Sequence, residues 1–134
     1  MSHPIKFRVW DKSLKIFLPI EYKYSSDYST LPAAPLIDIH GRLWDWASQH
    51  WGINNELCEN QDNYIIQQFT GLLDKNGKEI YEGDIVQWNL EIGAVEYSME
   101  DFAYIVKYVD TFIYLNDFEL EVIGNIFENP SLLN

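Results

Sequence analysis

The sequence has 134 residues, 47% of them hydrophobic and 16% aromatic, which supplies a packed core and excludes a chain disordered throughout. Nine Lys and Arg face 21 Asp and Glu, and the formal net charge of −12 opposes direct binding to phosphate backbones. The single cysteine, Cys58, excludes an intrachain disulfide and a four-thiolate zinc site, and no apolar run approaches the roughly 20 residues of a membrane helix.

The N-terminal stretch MSHPIKFRVWDKS lacks the apolar segment of a secretory signal, so a cytoplasmic protein is expected, with no membrane partner. Its Ile5-Lys6-Phe7-Arg8-Val9-Trp10 alternates apolar and basic residues, the period of a strand. Asp11-Lys12-Ser13 supplies a turn, and Leu14 to Leu18 resumes the extended pattern, so 5–18 reads as a hairpin ended by Pro19. Residues 19–35 hold no period and read as a long surface loop. Leu36 to Trp46 reads as two short strands around His40-Gly41, with Trp44 and Trp46 on one face. The polar stretch ASQHWGINNELCENQDN then reads as loop.

Tyr64 to Thr70 reads as a strand by β-propensity, ended by Gly71. Asp74-Lys75-Asn76-Gly77 is a turn signal, since Gly and Asn take positive φ at little cost. In Tyr81-Glu82-Gly83-Asp84 a second turn leads into the strand Asp84-Ile85-Val86-Gln87-Trp88, with Asp84 accepting nearby backbone amides and Trp88 in the core. Further strands are expected from Gly93 to Tyr97, from Phe102 to Val109 and from Glu119 to Phe127, the last stopped before Pro130. No amphipathic helix is visible. The expected fold is all-β and mainly antiparallel, an SH3-like small barrel in the C-terminal half with an N-terminal β-hairpin and a long variable insertion. One domain spans 1–134, with the hairpin at 5–18, the insertion at 19–63 and the β core at 64–130.

Three blocks, IKFRVWD at 5–11, FTGLLDKNGKEIYEGDIV at 69–86 and EVIGNIFENPSLL at 121–133, resemble the YopX family of small phage and prophage proteins in order and spacing. The resemblance implies a mostly β fold and a bacteriophage setting. It brings no established activity and no catalytic residue.

The candidate chemistry in the residues themselves is sparse. Asp38 and His40 could share a strand face, but no nucleophile or pocket is signalled beside them. His50 and Cys58 lack the close pairing of zinc ligands. Glu82 and Asp84 could converge on one side of an extended segment, yet they flank a turn glycine and precede a strand, which favours a structural role. Gly71, Gly77 and Gly83 recur every six residues without the Gly-Lys-Ser/Thr of a phosphate loop. No catalytic residue, metal-ligand set or cofactor is therefore expected.

Charge points instead to contact. Residues 43–134 hold three lysines against 17 carboxylates, whereas residues 1–42 carry a net +2. An acidic surface suits a partner with a basic surface, and such carboxylates can stand in for phosphates in a nucleic-acid groove. The expected reading is a phage accessory protein that binds a host protein, acting as an acidic inhibitor of a nucleic-acid-binding or defence protein. Glu91, Glu96, Glu100, Asp101, Asp117, Glu119 and Glu121 would provide the field, and Trp44, Trp46 and Trp51 would anchor the contact. The alternatives are a homo-oligomer pairing through an unprotected strand at 5–10, and an enzyme acting on a small molecule or nucleotide.

Overall fold

The computed structural model describes residues 5–18, 35–37, 42–45, 60–115 and 119–134. They form eleven strands and two short 3-10 turns, and no α-helix occurs among them. The chain divides into two compact units, Arg8–Ile66 and a second made of Met1–Phe7 with Gln67–Asn134.

In the first unit, β1 (Phe7–Asp11) pairs antiparallel with β2 (Ile16–Phe17), as the alternating pattern requires. Trp10 packs edge-on against Phe17, and the Arg8 guanidinium lies 4.5 Å from the centre of the same ring. Asp11 closes the intervening turn. Its Oδ1 accepts the amides of Ser13 and Leu14, the Ser13 hydroxyl and the Asn63 carboxamide, all within 3.0 Å. Burial pushes this carboxyl up, but the hydrogen bonds outweigh it and hold Asp11 below the ordinary range. Strands β3 (Pro35–Ile37) and β4 (Leu43–Asp45) pair antiparallel, with Leu36 opposite Trp44. The expected turn at His40-Gly41 lies outside the described residues. Gln61, in the 3-10 turn Gln61–Asn63, fixes Leu43 by bonding both its amide and its carbonyl. Val9 and Leu43 are buried together, flanked by Leu18, Tyr64 and Ile66.

The other unit is larger. β5 (Tyr64–Leu73) enters it at Gln67 and pairs antiparallel with β6 (Glu79–Tyr81). It does not end at Gly71 as expected: the glycine takes φ +90° within a register shift between Phe69 and Leu73, and the strand runs on to Leu73. Then come β7 (Asp84–Trp88), β8 (Glu91–Ser98), β9 (Ala103–Lys107), β10 (Phe112–Tyr114) and β11 (Glu121–Asn125), in one antiparallel sheet ordered β10-β9-β8-β7-β11. The all-β, antiparallel class expected from the sequence is the one found. β10 and β11 are the two outer strands of this sheet. Strand β10 lies in a stretch where no strand was expected.

Alternation divides the sheet into two faces. Val86, Val95 and Val106 point inward and are fully buried with Ile80 and Leu120. Trp88 packs against this core, as expected, beside Tyr104, Tyr108 and Ile113.

The segment Tyr81–Asp84 is a turn held by buried hydrogen bonds. Gly83 has φ +86°, and a Cβ there would run into the Gln67 side chain, so both backbone and space demand glycine. Its amide bonds the Val95 carbonyl, and its own carbonyl accepts the Ile126 amide. Asp84 is buried and accepts the Tyr81 amide at 2.8 Å and, more weakly, the Asn125 carboxamide at 3.4 Å. Asn125 in turn accepts the Phe127 amide. The glycine-aspartate turn and the final strand are thus bolted to one another.

Candidate protein-contact surface

On the outward face of the larger unit, register brings Glu96 opposite Ile105, Lys107 opposite Phe112, and Ile105 opposite Tyr114. Ile105 is buried and forms the floor between them. The β8–β9 hairpin, closed by Ser98 opposite Ala103, leaves Met99 to Phe102 as its tip. The Ser98 hydroxyl bonds Asp101 at 2.8 Å, and the Tyr114 hydroxyl donates to the other Asp101 oxygen at 3.1 Å. That bond, and the charge of the carboxylate, push the Tyr114 hydroxyl above its ordinary range. An open groove of about 470 Å³ runs across this face, and its charged lining is Glu96, Glu100, Asp101, Asp110 and Lys107.

The cation partly offsets one carboxylate, with Lys107 Nζ 3.6 Å from Glu96. Glu100 and Asp110 are exposed beside the groove. Large apolar groups stand among the charges. Phe112 and Tyr114 are 44% and 50% exposed and meet edge to face. Phe102, at the tip, is 79% exposed and holds φ +52°, a left-handed conformation unfavourable for a bulky residue.

Three of the expected contact residues, Glu96, Glu100 and Asp101, are therefore gathered here. Glu119 and Glu121 lie at a second cavity of about 300 Å³, beside Lys75, Gln87, Trp88 and Asn89. There Glu121 is paired with Lys75 at 3.2 Å. Glu91 starts β8 and is exposed. Trp46, Trp51 and Asp117 lie outside the described residues, as do Asp38, His40, His50 and Cys58. Of Trp44 only the strand position in β4 is described. The exposed aromatics that do border acidic groups are Phe102, Phe112 and Tyr114 rather than tryptophans, and Phe102 lies in the hairpin turn, one residue before the strand it was expected to start. The alternation of Phe112, Ile113 and Tyr114 was the available signal.

Glu82 and Asp84 do not act as a free pair, since Asp84 is buried and hydrogen-bonded to the Tyr81 amide. Glu82 is half-buried, and burial raises its carboxyl above the ordinary range. No group of three or more His, Cys, Asp or Glu suited to a metal ion occurs among the described residues. No helix among them is long and apolar enough to cross a membrane.

Fold and surface together define a mainly antiparallel β protein with an acidic, aromatic-studded outer sheet face. The YopX protein family model matches residues 6–134, and the chain belongs to that family. Among solved structures it is similar to protein yopX from Bacillus subtilis, with 20% identity, a TM-score of 0.54 and coverage of 96% of this chain and 97% of that one. It is also similar to protein EF1440 from Enterococcus faecalis, at 27% identity and a TM-score of 0.48, covering 99% of this chain and 100% of that one. No curated protein matches the sequence.

Proposed function

We propose that this chain is a non-enzymatic phage or prophage accessory protein of the bacterial cytoplasm that works by binding a host protein with a basic surface. The phage setting follows the family resemblance. The observation that carries the binding role is the clustering of Glu96, Glu100, Asp101 and Asp110 with a single lysine, Lys107, around the exposed rings of Phe112 and Tyr114. Carboxylates at the rim steer a basic partner and fix its orientation, while exposed aromatics supply apolar area to bury. Inhibition of a nucleic-acid-binding or defence protein is the specific form of this role, with the carboxylates occupying positions that phosphates otherwise take.

Capture from a bacterial lysate tests the reading, using the wild-type chain and a Glu100→Gln/Asp110→Asn variant at about 50 and about 300 mM salt. Both altered residues are exposed. One basic protein retained by the wild type at low salt, and reduced about tenfold by the variant or by high salt, is the expected result. Equal retention by both chains at both salt levels would refute the role of this face.

A further inference from the structure

The two edges of the five-stranded sheet are treated differently. At and beside β11, three outward backbone groups have partners. The Leu120 carbonyl accepts the Lys75 amide at 2.8 Å, the Val122 amide donates to Asp74 at 3.0 Å, and the Asn125 amide donates to Asn129 at 3.2 Å. A register shift between Val122 and Gly124 distorts that edge further. These are the devices by which proteins blunt an open strand.

No such device covers β10 among the described residues. The Leu115 amide bonds the Tyr104 carbonyl, and the Tyr108 amide bonds the Thr111 carbonyl. Antiparallel pairs alternate between bonded and non-bonded. Ile113, opposite Val106, therefore turns its N–H and C=O toward β9, whereas Phe112 and Tyr114 turn theirs to the open side. The side chains at this edge are Phe112, Ile113 and Tyr114, a β-prone and apolar run.

We infer that β10 is an acceptor edge for strand addition, and that its occupant is an extended segment of another protein with Lys or Arg at alternate positions. This rests on the binding role proposed above and states how the partner docks. Charge selects the occupant. Asp110 precedes β10, and Asp101 is bonded to Tyr114 at its far end, so carboxylates flank the strand on both sides. A second copy of this chain pairing through β10 would set those carboxylates against their counterparts, in a molecule of net charge −12. A basic strand would instead exchange hydrogen bonds with Phe112 and Tyr114. Residues opposite these two share their outward face, where cations lie over the two rings and near the carboxylates.

The probe is the heptapeptide Arg-Val-Lys-Val-Arg-Val-Lys, capped at both ends, added to the full chain. On binding, the Phe112 and Tyr114 amides should exchange with solvent at least about tenfold more slowly, while Ile113 stays unchanged. Methylating the peptide backbone at its Arg and Lys nitrogens should weaken binding about tenfold or more, and methylating the valines should not. Phe112→Pro removes an outward donor without breaking a bond to β9, while Phe112→Leu removes the ring and keeps the donor, so the proline variant should fold and bind about tenfold less tightly than the leucine variant. If the peptide binds with salt sensitivity but ignores both backbone changes, strand addition is overturned and contact through charge survives. If it fails to bind while a basic host protein is still captured, strand addition is likewise overturned. Failure of both peptide binding and capture refutes both readings. Concentration-dependent protection of Phe112 and Tyr114 in the chain alone would assign the edge to self-association and overturn the choice of occupant.

Discussion

The Asp74 carboxylate accepts the amide of Val122, 48 residues away, at 3.0 Å while its other oxygen accepts Asn76 and Lys78 at 2.8 and 2.9 Å. One side chain thus closes the β5–β6 turn and covers the outer edge of β11. Asp74 is buried, and burial raises its pKa. The three amides and the Lys78 charge outweigh that effect and hold it below the ordinary carboxylate range. Asp74→Ala leaves those amides without their acceptor and should cost about 2–4 kcal/mol, read from urea denaturation midpoints.

The same geometry sets an acid dependence. A carboxyl with a depressed folded pKa binds fewer protons when folded, so its stabilisation is full above its unfolded pKa near about 3.9 and is lost as pH falls through the lower folded value. Asp11 and Asp74 share this direction. The wild-type midpoint should fall steeply below about pH 4, and Asp74→Ala should flatten that decline. An unchanged slope in the variant would mean that Asp74 is not a source of acid sensitivity.

Gly83 makes the sharpest steric prediction. Its φ of +86° and the Gln67 side chain lying where a Cβ would go both oppose any other residue. Gly83→Ala should lower stability by at least about 1 kcal/mol from the left-handed backbone alone. Gly77, at φ +81° with nothing near a Cβ, meets only the backbone term, so Gly77→Ala should cost less. Paired thermal melts decide whether the steric part exists.

Glu82 runs in the opposite sense to Asp74. Burial raises its pKa, and no hydrogen bond of its carboxylate compensates among the described residues. Folded Glu82 therefore holds its proton to higher pH than unfolded Glu82, and stability is lost as pH rises through the folded value. Glu82→Gln should raise the denaturation midpoint at pH 7, and the gain should shrink to nothing as pH falls below about 4. A variant less stable than wild type at pH 7 would show that the carboxylate makes a favourable contact.

The strands β5, β7, β8, β9 and β11 were legible because turn chemistry and alternation agree there. Asp74 to Gly77, Gly83-Asp84 and the β-branched Ile85-Val86 each favour the conformation found. β10 was missed because it is only three residues long, Phe112-Ile113-Tyr114, too short for period two to stand out. The alternative of a homo-oligomer placed an open edge on the strand at 5–10, but β1 is paired with β2, and the Lys6 carbonyl accepts the Phe69 amide at 2.8 Å. Which edge stays open depends on long-range pairing, which local pattern does not encode. The candidate surface was half legible for the same reason. Local charge density names Glu96, Glu100 and Asp101, but only the β8–β9 and β9–β10 registers set them beside Phe112 and Tyr114.

Phe102 joins strain to exposure. A turn residue at φ +52° is served best by glycine or asparagine, yet here it is a phenylalanine with 79% of its surface in solvent. Folding gains little from such a ring, and its place at the hairpin tip suits the contact role proposed above. Phe102→Gly should relieve the left-handed strain and raise stability by up to about 1 kcal/mol, while weakening capture of the basic partner proposed above. Thermal melts and capture at low salt measure the two halves separately. Loss of stability in the variant would mean that the ring packs at the tip, and unchanged capture would remove Phe102 from the surface.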